Sequence, residues 1–527
     1  YIQEAEKSYI LENQLNWYDK KVSEKTIEKD KNTFLNKLSF LHLEKAIALI
    51  KEFNVSDFLP FIIKKHESLI QNKFFRNVYY PARFLCYKEY LDVKQEFFES
   101  EKNLIETSLI YRILIEFAIA ENPSGNKSPN KGDLDLILAH LSQVNNYAML
   151  SDEIRYGFQN PRIYVLPSGR VGIEKESIDK FNDTLTKIMY DSSQENFENN
   201  FYSRQDKPQV EKDEDHIKKI ETGFLKDWGI SLFDIFNIGD FLCEYSLANG
   251  HSYCEVSSKK LLKETSKEFS NQTVEAFVKI MTSETRNGIL NFPKDERKEE
   301  FYPWRYNRKF SYLKKPLVKI IKDDGIHYAW GPRHMLNSVS NMLHNFYDAT
   351  LKLDNAPNID NLIAERLVKK GAEFNNEVFV WFKTNSNIDI IGKDKWIKPK
   401  GFFHSLENMG DIDILGIDHS KKIIYSMECK NTLQSKLPYE YYTEIMKYFG
   451  KEGNQKEGLI RKHVKRDNWL KKYKTQVLAK LDLSQEYSIK SIIITSNFLP
   501  STLIKKPVLD TYSFWEIKKG ELYSNSN

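Results

Sequence analysis

The 527-residue chain has only four cysteines, Cys86, Cys243, Cys254 and Cys429, and no two of them form a CxxC pair. That spacing excludes the usual structural zinc site, and so sparse a set suits a reducing compartment, so a cytoplasmic location is expected. No run of eighteen apolar residues occurs, so neither a membrane span nor a membrane partner is expected. The most apolar stretch, residues 108–120, carries Arg112 and Glu116 one helical turn apart, placed to pair, and reads as a buried core helix. There is no Walker A sequence and no Gly-x-Ser-x-Gly elbow, so ATP hydrolysis and a serine-hydrolase mechanism have no motif behind them. Internal repeats and low-complexity blocks are also absent. Strong net charge is missing as well: 78 Lys and Arg against 74 Asp and Glu leave +4, too little to announce a polyanionic partner. The first residue is Tyr1, not Met, which leaves the true start and any leader open.

What the chain does have is apolar and aromatic material for real cores, 41% and 13% of its residues. Its length fits two to four domains. Helical spacing dominates the first part: Phe34, Leu35, Leu38, Leu41, Leu43, Ile47 and Ile50 recur on one face, and so do Leu104, Ile105, Leu109, Ile110 and Ile113. Residues 122–132 form a loop, and residues 133–144 a helix. Residues 162–173 read as a hairpin turning at Pro167-Ser168-Gly169, residues 176–200 as helix, and residues 203–216 as an exposed connection. A second hairpin is expected over residues 317–330, turning at Asp323-Asp324-Gly325. A strong helix follows over residues 359–382. The expected organisation is therefore multidomain. Residues 1–300 form a mostly α-helical region with a sub-boundary near 203–216, residues 301–355 a connecting hairpin and helix, and residues 356–527 an α/β domain.

The C-terminal part carries the chemistry. Gly410-Asp411-Ile412-Asp413-Ile414-Leu415 is followed, after the polar turn Asp418-His419-Ser420-Lys421, by Met427-Glu428-Cys429-Lys430-Asn431. Strand side chains alternate faces, so Asp411 and Asp413 share one face while Ile412 and Ile414 take the other. Glu428 and Lys430 likewise share a face, backed by Met427 and Cys429. A short hairpin brings Asp413, Glu428 and Lys430 into one pocket. Two carboxylates leave room around Mg²⁺ for water and a phosphate oxygen. Without metal, Asp413 and Glu428 repel, so one takes up a proton or Lys430 neutralises the pair. Helices over residues 440–449 and 458–473, a buried strand over 489–495 and a further strand over 511–517 complete the pattern.

Helix, strand, acidic strand, Glu-x-Lys strand, helix and strand, in that order, resemble the restriction-endonuclease-like superfamily, named for its PD-(D/E)xK motif. The resemblance covers roughly the last third of the chain and rests on Gly410-Asp411-Ile412-Asp413 and Glu428-Cys429-Lys430. It implies a central mixed sheet flanked by helices. It also implies Mg²⁺ (or Mn²⁺) bound by Asp413, Glu428 and the Cys429 carbonyl, with Lys430 positioning the attacking water. Asp411 is a second ligand, a supporting partner or a polar strand start. Many members add a helix glutamate in a Gly-x-x-Phe-Glu pattern; here Gly371-Ala372-Glu373-Phe374-Asn375 ends in asparagine. Glu373 and Glu377 flank that position, and Glu377 is the chosen replacement.

Residues 451–480 hold ten Lys or Arg against three acids. On a helix, Lys462, Lys465, Arg466 and Trp469 form one stripe suited to phosphates, joined by Arg461, with Lys436 approaching from the preceding segment. A solvated basic face is the plainer alternative. His404 and His463 lack metal-ligand spacing, and Trp304, Tyr328 and Trp330 read as core or lid aromatics. The resemblance thus implies a metal-dependent nuclease acting on nucleic acid, DNA before RNA. A composition rich in Lys, Asn and Ile points to an AT-rich bacterial genome; taken with about 300 residues before the nuclease, more than cleavage needs, it suggests restriction or anti-phage defence, with a housekeeping repair role as the alternative. The large N-terminal region is then free to bind a protein partner or form a homo-oligomer. The rival readings are a scaffold built on a retired nuclease fold and an RNase on the same fold.

Overall fold

The computed structural model describes residues 4–18, 24–86, 91–174, 214–286, 288–294, 296–305, 308–351, 353, 355–433, 435, 437–450 and 458–520. These residues form seventeen helices and three sheets, a mixed α/β structure with a helical N-terminal region. No described helix is long and apolar enough to cross a membrane. The helix expected over 176–200, and most of the connection after it, lie outside the described residues.

The chain divides into two compact units. The first comprises Tyr1–Arg155, Arg162–Glu174 and Glu211–Ala364. It opens with α1 (Glu4–Asn13), α2 (Glu24–Lys29), α3 (Lys31–Lys51), α4 (Val55–Cys86), α5 (Leu91–Glu121) and α6 (Lys131–Arg155). The apolar repeat read from the sequence is the packed face of α3, where Phe34, Leu35, Leu38 and Ile50 are buried. The hairpin expected at 162–173 is β1 (Ile163–Val165) with β2 (Val171–Ile173). There follow α7 (Glu214–Trp228), α8 (Leu232–Ala248), β3 (Cys254–Ser257), α9 (Ser258–Thr265), α10 (Asn271–Met281) and β4 (Thr282–Ser283). The second hairpin, β5 (Leu317–Lys322) with β6 (Gly325–Trp330), joins them in a four-stranded sheet of order β3-β6-β5-β4. That pairing places the 301–355 segment, expected to stand as a separate connector, inside the first unit. Trp330 is fully buried and donates its indole N–H to the Leu242 carbonyl at 3.3 Å, a core role. Glu116, read as a partner for Arg112, is held by the fork of Arg308, with Nη2 at 2.9 Å from Oε1 and the other arm on Oε2. The Tyr312 N–H adds a third bond to it at 2.8 Å. α11 (Pro332–Tyr347) packs on α8, and α12 (Pro357–Asn385) begins within this unit.

The second unit comprises Tyr156–Pro161, Lys175–Val210 and Glu365–Asn527. Its sheet has order β12-β11-β10-β9-β7-β8, from β7 (Asp389–Lys398), β8 (Phe403–His404), β9 (Gly410–Asp418), β10 (Ile423–Lys430), β11 (Ser488–Thr495) and β12 (Asp510–Ser513). β9 pairs antiparallel with β7 and β10, whereas β11 runs parallel to β10 and β12. The helices are α12, α13 (Pro438–Tyr448), α14 (Leu459–Lys472), α15 (Lys474–Lys480), α16 (Ser501–Ile504) and α17 (Phe514–Lys518). Phe374, Val378 and Phe382 of α12 pack with Phe514 and Ile517 against Ile414, Tyr425, Met427, Cys429, Ile492 and Ile494. On the other side, Trp469, Leu470, Val477 and Leu478 of α14 and α15 cover Leu415, Ile417, Ile424 and Ile489. Each of these buried Ile or Leu side chains contributes about 1.5–3 kcal/mol. The strand expected over 511–517 stops at Ser513, because Ser513 caps α17. Its hydroxyl accepts the Glu516 N–H at 3.2 Å, and the Glu516 carboxylate accepts the Ser513 N–H at 2.5 Å.

Candidate functional site

The turn between β9 and β10 is fixed by Asp418, whose carboxylate accepts the N–H groups of Ser420 and Lys421, each at 3.0 Å. From there the ladder runs from the Ile423–Asp418 pair to the Met427–Ile414 pair and ends. Beyond it a side chain takes over: the Asp413 carboxylate accepts the Cys429 N–H at 2.7 Å. Cys429 and Met427 face the α12 core, so alternation puts Glu428 on the α14 side of the sheet. Lys430 follows on the same side, and its ammonium donates to Glu428 Oε1. The hairpin therefore gathers Asp413, Glu428 and Lys430. Cys429 contributes its backbone, because its thiol is buried in the opposite core.

Electrostatics sets the two acids apart. Burial, and then the neighbouring Glu428, push the Asp413 carboxyl up to about 7, against the pull of Lys430 and the Cys429 N–H. Burial also acts to raise Glu428, but Lys430, His463 and Arg466 outweigh it and hold its carboxyl below the ordinary range. Lys430 is raised even though burial opposes it, because Glu428 and Asp413 favour its charge.

The helix α14 supplies the rest. His463, Arg466, Asp467 and Leu470 recur at i, i+3, i+4 and i+7 and form its buried face. Arg466 donates from Nη1 to Glu428 Oε2 at 2.7 Å and from Nε to the Met409 carbonyl at 3.4 Å. Gly410 leaves space for it: its φ is +89°, and a Cβ there would lie 2.9 Å from Arg466 Nη2. The stripe expected from Lys462, Lys465, Arg466 and Trp469 is thus divided. Arg466 and Trp469 are each only 8% exposed, one tied to Glu428 and the other in the core, while Arg461, Lys462 and Lys465 face solvent. Arg466 anchors Glu428 instead of presenting an open phosphate contact.

Two residues of the site were not found from the sequence. His463 was set aside for want of a metal-ligand partner, yet its Nδ1 lies 3.2 Å from Glu428 Oε2, with no hydrogen-bond partner among the described residues at either ring nitrogen. Burial lowers its pKa to about 4, against the pull of Glu428. Asp394 on β7 lies opposite Asp413, between the Lys393–Ile414 and Lys395–Ile412 pairs. Its φ of +53° breaks the regular strand. Carboxylate oxygens of Asp394, Asp411 and Asp413 all lie within 4.8 Å of one another.

Glu377 is not brought to this group. It is 59% exposed and faces Lys518 of α17 at 3.6 Å. Its helix covers the sheet face opposite Glu428, so Glu377 does not complete the acid set, and Glu373 is exposed on the same helix. Lys436 lies outside the described residues.

The donor set suits a hard divalent cation at Asp394, Asp411 and Asp413, where carboxylates crowd and Asp413 resists losing its proton. Glu428 fits less directly, since Lys430 takes one oxygen and Arg466 the other.

The model of one protein family, described as anti-phage protein Upx-like, matches residues 90–512, well over half the chain. No curated protein and no solved structure gives a significant match. The chain belongs to the Upx-like family of anti-phage proteins.

Proposed function

From membership of an anti-phage family and from the site on β7, β9 and β10, we propose that this protein is a metal-dependent nuclease that acts in defence by hydrolysing phosphodiester bonds. The observation that carries the proposal is the convergence of Asp413 with Glu428 and Lys430 where the β9–β10 ladder opens, beside the crowded carboxylates of Asp394 and Asp411. The order α12, β7, β9, β10, α14, β11 around a mixed sheet supports the restriction-endonuclease-like reading of the fold.

Asp394, Asp411 and Asp413 would hold Mg²⁺ or Mn²⁺, with Glu428 adjacent. The chemistry a cation held there would supply is a water of lowered pKa and compensation of charge on the phosphate. The chain's own groups do the rest. Lys430 keeps its charge and sits where a scissile phosphate meets the acids. Arg466 holds Glu428 by one oxygen and Glu428 holds Lys430 by the other, so Lys430 is preorganised and loses little freedom when an anion arrives. Arg461, Lys462 and Lys465 offer an exposed basic flank for the nucleic-acid backbone. DNA is proposed before RNA on the superfamily resemblance alone.

One observation favours the retired-scaffold reading: both Glu428 oxygens already have cationic partners. Incubating the full chain with matched single- and double-stranded DNA and RNA, in Mg²⁺, Mn²⁺ or EDTA, separates the readings. Metal-dependent shortening of DNA is expected. Cutting of RNA alone selects the RNase reading, and intact substrates under every condition overturn the nuclease.

A further inference from the structure

The first unit contains a cavity of about 610 Å³, inside the size range of small-molecule sites. It lies among α5, α9, α10 and the β4–β6 sheet, with Arg286 and Phe310 in its wall. Arg286 is half-buried, and its guanidinium sits over the rings of Phe301 at 4.7 Å and Phe310 at 6.0 Å. Those rings stack on each other at 4.7 Å, so the platform beneath the guanidinium is rigid. Among the described residues, no carboxylate pairs with Arg286 and its buried Nε has no hydrogen-bond acceptor. A buried donor left unmet is costly, and a guanidinium presents donors in a fork that matches a phosphate.

The charge of the lining agrees. Six described charged residues line the cavity: Glu116, Glu275, Lys279, Glu284, Arg286 and Lys315. Two of the acids are already balanced from outside it, Glu116 by Arg308 and Glu284 by Lys319 at 3.0 Å. That leaves Lys279, Arg286 and Lys315 against Glu275, an excess of two positive charges. Among the described residues, Lys315 donates to the backbone carbonyls of Ile280 at 3.3 Å and Thr282 at 3.4 Å. Ser258, the first residue of α9, is also in the lining, so the positive end of a helix dipole adds to the field. The lining also holds apolar and aromatic residues, Leu261, Leu262, Val278 and Tyr328. Cationic groups and apolar, aromatic surface in one cavity fit a molecule that joins a phosphate to a planar ring.

We infer that this cavity binds a nucleoside phosphate, with Arg286 as the phosphate anchor. The site is separate from the acids of the second unit and does not depend on the nuclease reading. It is tested by calorimetric titration of the full chain with AMP, ATP, GMP, adenosine and inorganic phosphate, with the melting temperature recorded for each. At least one nucleotide is expected to bind with Kd below about 100 μM and to raise the melting temperature, while adenosine and inorganic phosphate bind at least tenfold more weakly. Arg286→Gln is expected to weaken nucleotide binding about 10- to 100-fold. Because Arg286 stacks on two rings, a second variant guards against misfolding: Thr285→Trp, at an exposed lining position, adds bulk to the cavity wall and retains Arg286. It too is expected to abolish binding, with an unchanged melting temperature in the absence of nucleotide. The inference is overturned if no nucleotide binds the wild type, if inorganic phosphate binds as well as the nucleotide, or if either folded variant keeps wild-type affinity.

Discussion

Replacing Asp413 by Asn is expected to make the metal-free protein more stable. Folding places this carboxyl beside Glu428 in a buried setting, and its pKa rises from 3.8 to about 7. The folded chain therefore binds a proton more tightly than the unfolded one between those two values. Stability contributed by this group is lost as pH rises through that window. Each tenfold change in proton affinity is about 1.4 kcal/mol, so the charged carboxylate costs the fold at most about 4 kcal/mol at pH 8. Asn keeps an oxygen to accept the Cys429 N–H but adds a donor that Asp413 lacks, so a gain of about 1–3 kcal/mol is expected. In a unit of this size that is about 2–4 °C in Tm for each kcal/mol. Glu428, held below its ordinary range, has the opposite pH dependence, but it is common to both proteins. Thermal unfolding of wild type and variant in EDTA at pH 8 and pH 5 is the assay. The Asp413→Asn advantage should be largest at pH 8 and shrink by more than half at pH 5. An advantage that is absent at pH 8, or equal at the two pH values, would refute the reasoning.

Three more outcomes are expected. Mn²⁺ should raise the Tm of wild type by RT ln(1 + [Mn²⁺]/Kd) expressed in degrees, and Asp394→Asn should lose most of that rise; an undiminished rise would remove Asp394 from the metal-binding set. Arg466→Met should destabilise the fold by about 3–5 kcal/mol in urea unfolding, because it strands the buried Glu428 charge, and adding Glu428→Gln should restore much of the loss. Glu377→Ala should leave unfolding within about 0.5 kcal/mol of wild type and cleavage within about twofold, since the side chain is exposed; a large drop in cleavage would return it to the site.

The hairpin and its acids were legible because a strand has a period of two. Leu415 and Ile417, at alternate positions from Asp413, lie in the α14–α15 core, and Glu428 follows on β10, whereas Ile412, expected to share the face of Ile414, is buried with Leu415 and Ile417 instead. α12 was equally plain, since apolar residues recur at helical spacing on both sides of residues 369–373. Asp394 was hidden for the converse reason: its positive φ interrupts the alternation of β7, and between Lys393 and Lys395 it looks like one more solvated charge. His463 and Arg466 were misread because helical spacing shows which residues share a face but not which face the sheet covers. Both basic and apolar stripes exist on α14, and packing against β9 and β10 chose the one containing His463 and Arg466. Glu377 was assigned by its closeness in sequence to a motif position. The helix turns it away, because Phe374, Val378 and Phe382 take the sheet-facing side. Ser513 shows a local signal overlooked: Ser followed three residues later by Glu516 is a helix start, and it ends β12.

The most direct test of the central claim is single-turnover cleavage of end-labelled double-stranded DNA in Mn²⁺ by wild type, Asp413→Asn and Lys430→Met, with DNA affinity measured in parallel. Wild type should cut, and both variants should fall by at least about 100-fold in rate while still binding DNA within a few fold. Cutting by either variant at the wild-type rate would contradict the account.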